Sequence, residues 1–169
     1  MRLSAGILLY RYDSGGACEV LIGHMGGPFW AKKDAGAWSI PKGEYEVGEV
    51  PFDVARLEFE EELGAPVPAE EYVALGEMRQ PSGKVLTVWA AEGELDAAAS
   101  HSNTFELEWP PRSGRVQEFP EIDRSAWLPL PQARIALVSG QVPFLDRLVA
   151  ALADPAATDH TQGSPRSTS

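Results

Sequence analysis

A short acidic segment carries the residues best suited to chemistry. Glu58, Glu61 and Glu62 are three and four positions apart, the spacing at which side chains on an α-helix become neighbours. Three carboxylates held this close repel one another unless a cation neutralises them, and such hard oxygen ligands suit Mg²⁺ or Mn²⁺. Bound Mg²⁺ commonly keeps waters and contacts substrate phosphates, so the cluster indicates phosphate chemistry. A solvated acidic helix without a ligand is the alternative that the spacing leaves open.

The helix that presents these carboxylates is expected to run over residues 51–63. Pro51 suits its first turn, and Gly64 is a C-terminal stop. At about 100° per residue the apolar side chains fall on a separate stripe, which is predicted to face the core: Phe52, Ala55, Phe59 and Leu63. Glu60 points away from both groups and is expected on the surface.

The segment around this helix resembles the signature of the Nudix hydrolase family. That signature reads Gly, five residues, Glu, seven residues, Arg-Glu, an apolar residue, any residue, Glu-Glu, any residue, Gly and an apolar residue. The chain keeps this spacing from Gly43 to Ala65, with Glu49 at the second position and Leu57 in place of the Arg. The likeness extends outward to Ser4-Ala5-Gly6 and to Trp127-Leu128-Pro129-Leu130.

The resemblance implies a divalent-metal site, with Mg²⁺ as the expected ion and Mn²⁺ as an alternative. The implied ligands are four carboxylates and one backbone carbonyl: Glu58, Glu61, Glu62, Glu121 and the carbonyl of Lys42. Family members often add an acid from a late loop as ligand or general base, and Glu121 is expected in that role, with Glu118 in reserve. The four carboxylates are also the implied catalytic residues. Three further residues are expected to support the signature: Gly43, Glu49 and Gly64.

The implied activity is that of a divalent-metal-dependent pyrophosphohydrolase, a hydrolase acting on phosphoanhydride bonds. Its substrate would be a nucleoside diphosphate derivative, either a nucleoside triphosphate or a dinucleoside polyphosphate. Leu57 keeps a second hypothesis open, a degenerate Nudix domain that binds a nucleotide ligand without turnover. The family's Arg is held to orient the glutamates, and the adjacent Arg56 faces elsewhere because one residue turns a helix by about 100°.

Residues outside the signature are candidates for substrate binding. Four cations in predicted loops would meet phosphates, although solvated side chains are the alternative: Lys32, Lys33, Arg112 and Arg115. Trp109, like Trp30 and Phe105, would stack on a nucleobase, with core packing as the alternative. His24 belongs to no recognisable metal-ligand spacing and is expected to be structural or exposed.

The remaining elements follow from alternation, turns and breakers. Strands are expected at residues 3–11, 19–23, 37–40, 72–80, 84–92 and 104–108, and later helices near 132–137 and 142–152. Residues 109–121 are expected to form a loop. Strands on both sides of a central helix predict an α+β fold, and the resemblance implies an α/β/α sandwich with a central mixed β-sheet. Residues 1–153 are expected to form this domain, and 154–169 a disordered tail.

Composition excludes several classes of protein. The 169 residues include one Cys, which rules out a disulfide scaffold, and the formal net charge of −11 argues against binding duplex nucleic acid. No apolar run approaches the roughly 20 residues needed to span a bilayer. A cytoplasmic protein that acts on a small nucleotide, as a monomer or homodimer and without a membrane partner, is the default expectation.

Overall fold

A mixed β-sheet of seven strands forms the centre of the computed structural model, which describes residues 2–153. The strands are β1 (Leu3–Tyr12), β2 (Cys18–Met25), β3 (Trp38–Ser39), β4 (Lys42–Tyr45), β5 (Val73–Arg79), β6 (Val85–Glu92) and β9 (Ile122–Pro129). Their path is β3-β2-β1-β6-β5, with β4 paired to β1 and β9 paired to β2. Only β1 and β6 run parallel among these pairs, so the sheet is mixed as predicted.

Helices cover both faces of this sheet. Helix α1 (Pro51–Leu63) packs on one face, and α2 (Leu130–Ala136) and α3 (Pro143–Ala153) pack on the other. Side chains along β1 alternate between the two cores, because successive residues of a strand point to opposite faces. Ile7 and Leu9 join the cluster under α1, whereas Leu8 joins the cluster that includes α3. This three-layer arrangement confirms the predicted α/β/α sandwich.

Helix α1 begins and ends where Pro51 and Gly64 predict. Pro51 opens it after an extended Val50, and Gly64 ends it in the left-handed conformation at φ 81°, with its N–H donated to the carbonyl of Glu60 at 2.7 Å. The predicted core stripe is buried, and Glu60 is exposed. Burial of the apolar stripe therefore fixes which way the opposite, acidic side of the helix faces.

Three strands were not predicted. Residues 42–45 were expected to lie in a loop but form β4, and the predicted 109–121 loop contains β8 (Val116–Pro120). Strand β9 is the third. Each depends on a partner rather than on its own sequence: β4 pairs with β1, and β9 pairs with β2 about a hundred positions earlier in the chain. Charged residues and Pro in these segments hide the strand pattern. The predicted tail, 154–169, lies outside the described residues.

A two-stranded ribbon stands apart from the central sheet. It pairs β7 (Thr104–Glu108) with β8 in antiparallel register, with Phe105 opposite Phe119. Two short 3₁₀ turns, Ala97–Ala99 and Ser139–Gln141, complete the regular structure. No helix in residues 2–153 combines the length and the apolar character needed to cross a membrane.

Candidate active site

The acidic side of α1 faces a cavity of about 420 Å³. Five carboxylates and two lysines line it together with three other residues: Glu44, Glu58, Glu61, Glu62, Glu121, Lys42, Lys84, Gly43, Asn103 and Thr104. The structure thus brings together the three helix glutamates, the expected late acid and the Lys42-Gly43 turn. Acidic side chains outnumber basic ones, so the cavity has a strong preference for a cation.

Gly43 lets the Glu58 carboxyl group enter this cavity. A Cβ atom built on Gly43 would lie 2.0 Å from Cδ and 2.2 Å from Oε1 of Glu58. No side chain is compatible with that approach unless Glu58 moves. Gly43 lies in β4, opposite Ala5 of β1, so its backbone is held by the sheet. A glycine is needed at this position to leave space for the Glu58 carboxyl group, and not because of an unusual backbone conformation.

Glu62 and Glu58 are costly to ionise in this setting. Burial raises the pKa of Glu62 to about 8, against the opposing effect of Lys42, and repulsion from Glu58 and Glu121 adds to it. Burial raises the pKa of Glu58 to about 7, with repulsion from Glu61 and Glu121 contributing. The backbone N–H of Lys42 donates to Oε1 of Glu62 at 3.3 Å, a weak partner for a half-buried carboxylate. A bound cation would relieve both costs.

Glu121 reaches the cavity through a relay of backbone hydrogen bonds. The N–H of Asn103 donates to the carbonyl of Glu61 at 2.9 Å, and the N–H of Glu121 donates to the carbonyl of Asn103 at 2.8 Å. On its other side, the carbonyl of Glu121 accepts from the N–H of Gly26 at 2.9 Å. The last turn of α1 is thereby tied to the residue that carries the late acid. The Ser102 hydroxyl adds to this link, since it accepts from the N–H of Ile122 and donates to the carbonyl of Ile122, each at 3.0 Å.

Glu44 plays a different part from the other four acids. Its carboxylate accepts from Arg2 at 2.8 Å and from Lys84 at 2.7 Å, and these partners lower its pKa to about 2. Lys84 is therefore neutralised where it lines the cavity. Lys42 forms no ion pair within residues 2–153 and is the lysine of the cavity left to meet an anionic substrate.

The donor set fits a hard divalent cation. Among the described residues no three His, Cys, Asp or Glu side chains are placed as a ready metal-binding group. Four carboxylates that form no ion pair within residues 2–153 nevertheless line one cavity, and burial raises the pKa of two of them, Glu58 and Glu62. Carboxylate oxygens are the ligands that Mg²⁺ and Mn²⁺ prefer. The residues present thus suit the ion implied by the sequence.

Several predicted site residues lie away from the cavity. The five substrate-binding candidates are not among its lining residues: Lys32, Lys33, Arg112, Arg115 and Trp109. Glu118 lies within β8, opposite Glu106, and does not line the cavity, in contrast to Glu121. Glu49 accepts from the N–H of Glu46 at 2.7 Å, and Gly64 caps α1. Their roles in binding or support stay predictions.

Sequence reasoning missed four lining residues: Glu44, Lys84, Asn103 and Thr104. Asn103 and Thr104 precede and begin β7, and Lys84 follows the turn before β6. Glu44 had a signal, as the first acid of the acidic run that continues to Glu62. The position of Asn103 has no such signal, because its backbone forms the contacts that matter. His24, predicted to be structural or exposed, is fully buried between Asp123 and the carbonyl of Lys33.

A larger groove of about 530 Å³ is less suited to catalysis. Tyr10, Tyr12, Glu71 and Glu92 are among its lining residues. Among the described residues that line it, none belongs to the signature and none is a lysine, arginine or histidine. Chemistry rather than volume therefore identifies the carboxylate cavity as the candidate site.

Comparisons with known proteins concern the family and the fold of the chain. The sequence model of the NUDIX domain matches residues 1–148. No curated protein matches the chain in sequence. Among solved structures, the Ap4A hydrolase of C. elegans in a binary complex is 22% identical with a TM-score of 0.60, over 90% of this chain and 98% of that one.

Two further structures share the fold. The Nudix hydrolase RenU of M. smegmatis is 22% identical with a TM-score of 0.56, over 89% of this chain and 84% of that one. The NUDIX domain of Shewanella oneidensis NrtR, complexed with ADP ribose, is 15% identical with a TM-score of 0.57, over 89% and 87% of the respective chains. At these identities the likeness concerns the fold.

Proposed function

Because the chain belongs to the NUDIX family, and is a hydrolase acting on phosphoanhydride bonds, we propose that it is a divalent-metal-dependent pyrophosphohydrolase. Its proposed substrate is a nucleoside diphosphate derivative, a nucleoside triphosphate or a dinucleoside polyphosphate. The main observation that supports this proposal is that four carboxylates line one cavity: Glu58, Glu61, Glu62 and Glu121. The solved structure of the NrtR NUDIX domain with ADP ribose supports a nucleotide ligand.

Each side chain has a proposed part in the reaction. Glu58, Glu61 and Glu62 would hold Mg²⁺ or Mn²⁺ from the helix side, together with the carbonyl of Lys42. When bound, such an ion neutralises phosphate oxygens and lowers the pKa of a coordinated water. Glu121, which lines the same cavity from the segment before β9, would accept the proton of the attacking water. The Lys42 ammonium group would orient the diphosphate as an unpaired cation.

A substrate panel tests this proposal. The full chain is incubated with nucleoside triphosphates, dinucleoside polyphosphates and nucleotide sugars, with Mg²⁺, with Mn²⁺ or with a chelator. We expect hydrolysis of at least one class with either ion and none with the chelator. Products are identified by mass, since cleavage within a diphosphate linkage leaves two phosphorylated fragments. Folded protein that turns over no compound in either ion would refute the proposal.

Leu57 supports a second candidate function, nucleotide binding without turnover. The family's Arg is absent at this position. The resemblance implies that this Arg would pair with Glu49, but the Glu49 carboxylate accepts a hydrogen bond from the backbone N–H of Glu46. Metal-dependent ligand binding in the substrate panel without product release would favour this candidate.

Restoring the arginine with Leu57→Arg is expected to raise turnover or lower the Mg²⁺ concentration for half-maximal rate. The site has room, because Leu57 is 53% exposed and the new side chain need not be buried. Charge-assisted hydrogen bonds to nearby carboxylates contribute on the order of 1 kcal/mol after solvent screening. The free energy of unfolding should change by less than about 0.5 kcal/mol.

Leu57→Lys is the matched control, since it adds charge without the bidentate geometry of a guanidinium group. Turnover and Mg²⁺ dependence are measured for all three chains. If Leu57→Arg has the same turnover and Mg²⁺ dependence as the unsubstituted chain, the glutamates do not need an arginine at this position to orient them.

A further inference from the structure

The two faces of the β7–β8 ribbon carry different chemistry. Side chains of a strand alternate, and paired residues of antiparallel strands share a face. Phe105 and Leu107 point to one face and are partly buried, with Phe105 packed against Gly27. The opposite face carries three glutamates: Glu106, Glu108 and Glu118. One side of the ribbon is thus apolar and faces the 26–36 loop, while the other is acidic.

Beyond β7 the apolar side ends in a solvent-accessible aromatic pair. Trp109 continues the alternation of Phe105 and Leu107, and its ring meets Phe29 of the loop edge to face, with centroids 5.4 Å apart. Phe29 is 60% exposed, although a phenyl group is usually buried. An exposed ring held against a second ring offers a rigid, flat surface on which a base can stack.

Two arginines lie in the turn that follows Trp109. The N–H of Trp109 donates to the carbonyl of Arg115 at 2.9 Å, which places the two residues opposite each other and on the same face. Arg112 is the one non-glycine residue in the described chain with a positive φ, at 59°. Both arginines are exposed, and neither forms an ion pair within residues 2–153, whereas Arg11 and Arg134 pair with carboxylates.

Side-chain bonds to the backbone order the turn that carries these arginines. The Glu108 carboxylate accepts from the N–H of Gly114 at 2.7 Å, and the Gln117 amide donates to the carbonyl of Trp109 at 2.6 Å. The Ser113 hydroxyl accepts from the N–H of Arg115 at 3.1 Å. Glu108 is therefore engaged by the turn itself. In a chain of net charge −11, this surface stands out as cationic and aromatic.

The ribbon sets the distance between this surface and the catalytic carboxylates. Thr104 lines the carboxylate cavity, and Trp109 lies five residues farther along the extended chain. At about 3.3 Å per residue the separation is about 17 Å. A ligand that contacts both places must hold its aromatic group several phosphates away from the phosphorus that reacts.

Four residues, Phe29, Trp109, Arg112 and Arg115, are here called the aromatic tip. We propose that the aromatic tip binds the nucleoside phosphate that lies farthest from the reacting phosphorus in a substrate with several phosphates. The base stacks on the exposed Phe29 ring, and the arginines contact the phosphates next to that nucleoside. This inference rests on the proposed hydrolase function for the position of the reacting phosphorus. Between the two substrate classes left open above, it selects dinucleoside polyphosphates.

The test is a binding measurement that needs no turnover. The parent protein is the Glu62→Gln variant, chosen because it should not hydrolyse the ligand. In the presence of Mg²⁺ it is titrated by calorimetry with diadenosine tetraphosphate and with inorganic tripolyphosphate. On this background Phe29→Leu and Arg115→Ala are each expected to weaken dinucleotide binding at least about fivefold. Phe29→Leu should leave tripolyphosphate binding unchanged, because that probe has no base. Phe29→Tyr should retain dinucleotide affinity within about twofold.

Arg79→Ala is the matched control, since Arg79 is an exposed arginine on β5 whose side chain, within residues 2–153, donates to the carbonyl of Gly83 and forms no ion pair. Parent-like affinity in both tip variants, or no dinucleotide binding by the parent, would overturn the inference. So would equal loss of tripolyphosphate binding in Phe29→Leu. If the tip variants weaken dinucleotide binding but the unsubstituted chain hydrolyses no compound of the substrate panel, the hydrolase proposal is refuted. The proposed nucleotide site at the aromatic tip is then still supported.

Discussion

Glu62→Gln is expected to reduce Mg²⁺-dependent turnover by at least about a hundredfold while the chain stays folded. Glu62 is the carboxylate of the cavity with the most strongly raised pKa, and it lies between Glu58 and the backbone of Lys42. An amide keeps the shape of the side chain and loses the negative charge that an ion needs. The reduction should appear in the rate at saturating substrate and Mg²⁺.

The same substitution is expected to stabilise the metal-free chain above neutral pH. Folding raises the pKa of Glu62 from its usual 4.5 to about 8, so the folded state holds a proton that the unfolded state releases. Stability from this group is present in full below pH 4.5 and declines as the pH rises toward 8. Glutamine does not titrate and should add on the order of 2 kcal/mol at pH 8.

Glu60→Gln is the matched control, because Glu60 lies on the same helix but is exposed and does not line the cavity. Turnover is measured with a Mg²⁺ series, and the free energy of unfolding with denaturant at pH 5 and pH 8 in chelator. Normal turnover in folded Glu62→Gln protein would contradict the ligand assignment. A metal-free chain that gains no stability at pH 8 would contradict the environment described for this carboxyl group.

Gly43→Ala is the second substitution with a large expected effect. Its methyl group would occupy the space now taken by the Glu58 carboxyl group, 2.0 Å from Cδ. Because that group ends a flexible side chain, it can swing away without unfolding the sheet. A displacement of about 1 Å at a catalytic group can cost about a hundredfold in rate, and we expect a loss of that order. The melting temperature should change little.

Gly15→Ala provides the comparison for this experiment. Gly15 lies in the exposed turn between β1 and β2, where an added Cβ meets no atom closer than 3.5 Å. It should leave both turnover and melting temperature unchanged. If Gly43→Ala keeps full turnover, the close approach to Glu58 is not needed for catalysis. A large fall in melting temperature would instead show that Glu58 cannot move.

Local signals explain why the catalytic helix could be predicted. Pro51 and Gly64 mark its ends, and spacing alone placed three glutamates on one face of the helix. The structure shows that this face lines a cavity. These signals depend on neighbours within a few positions of the chain. The family resemblance supplied the rest of the site, including Lys42 and the expectation of a late acid.

Long-range pairing explains what could not be predicted. Strand β9 contains Asp123, Arg124 and Pro129, and its strand conformation comes from pairing with β2 far away in the chain. Glu121 was named from the sequence ahead of Glu118, but what brings it to the cavity is that pairing and the Asn103 relay. Trp109, Arg112 and Arg115 were also named as candidates for substrate binding. Their neighbour Phe29 was not, because the contact between the 26–36 loop and the β7–β8 ribbon has no local pattern.

The backbone relay has a consequence for how this protein tolerates change over evolutionary time. Since His101 and Asn103 hold this wall through main-chain atoms, replacements at these two positions should be tolerated with little effect on the position of Glu121. Ser102 is more constrained, because its hydroxyl bonds the backbone of Ile122. Insertions or deletions in residues 101–103 should not be tolerated, because one residue more or less shifts the register by about 3.3 Å and moves the acid away from α1. The length of this segment, together with one serine, is the inherited trait that keeps this wall of the site in place.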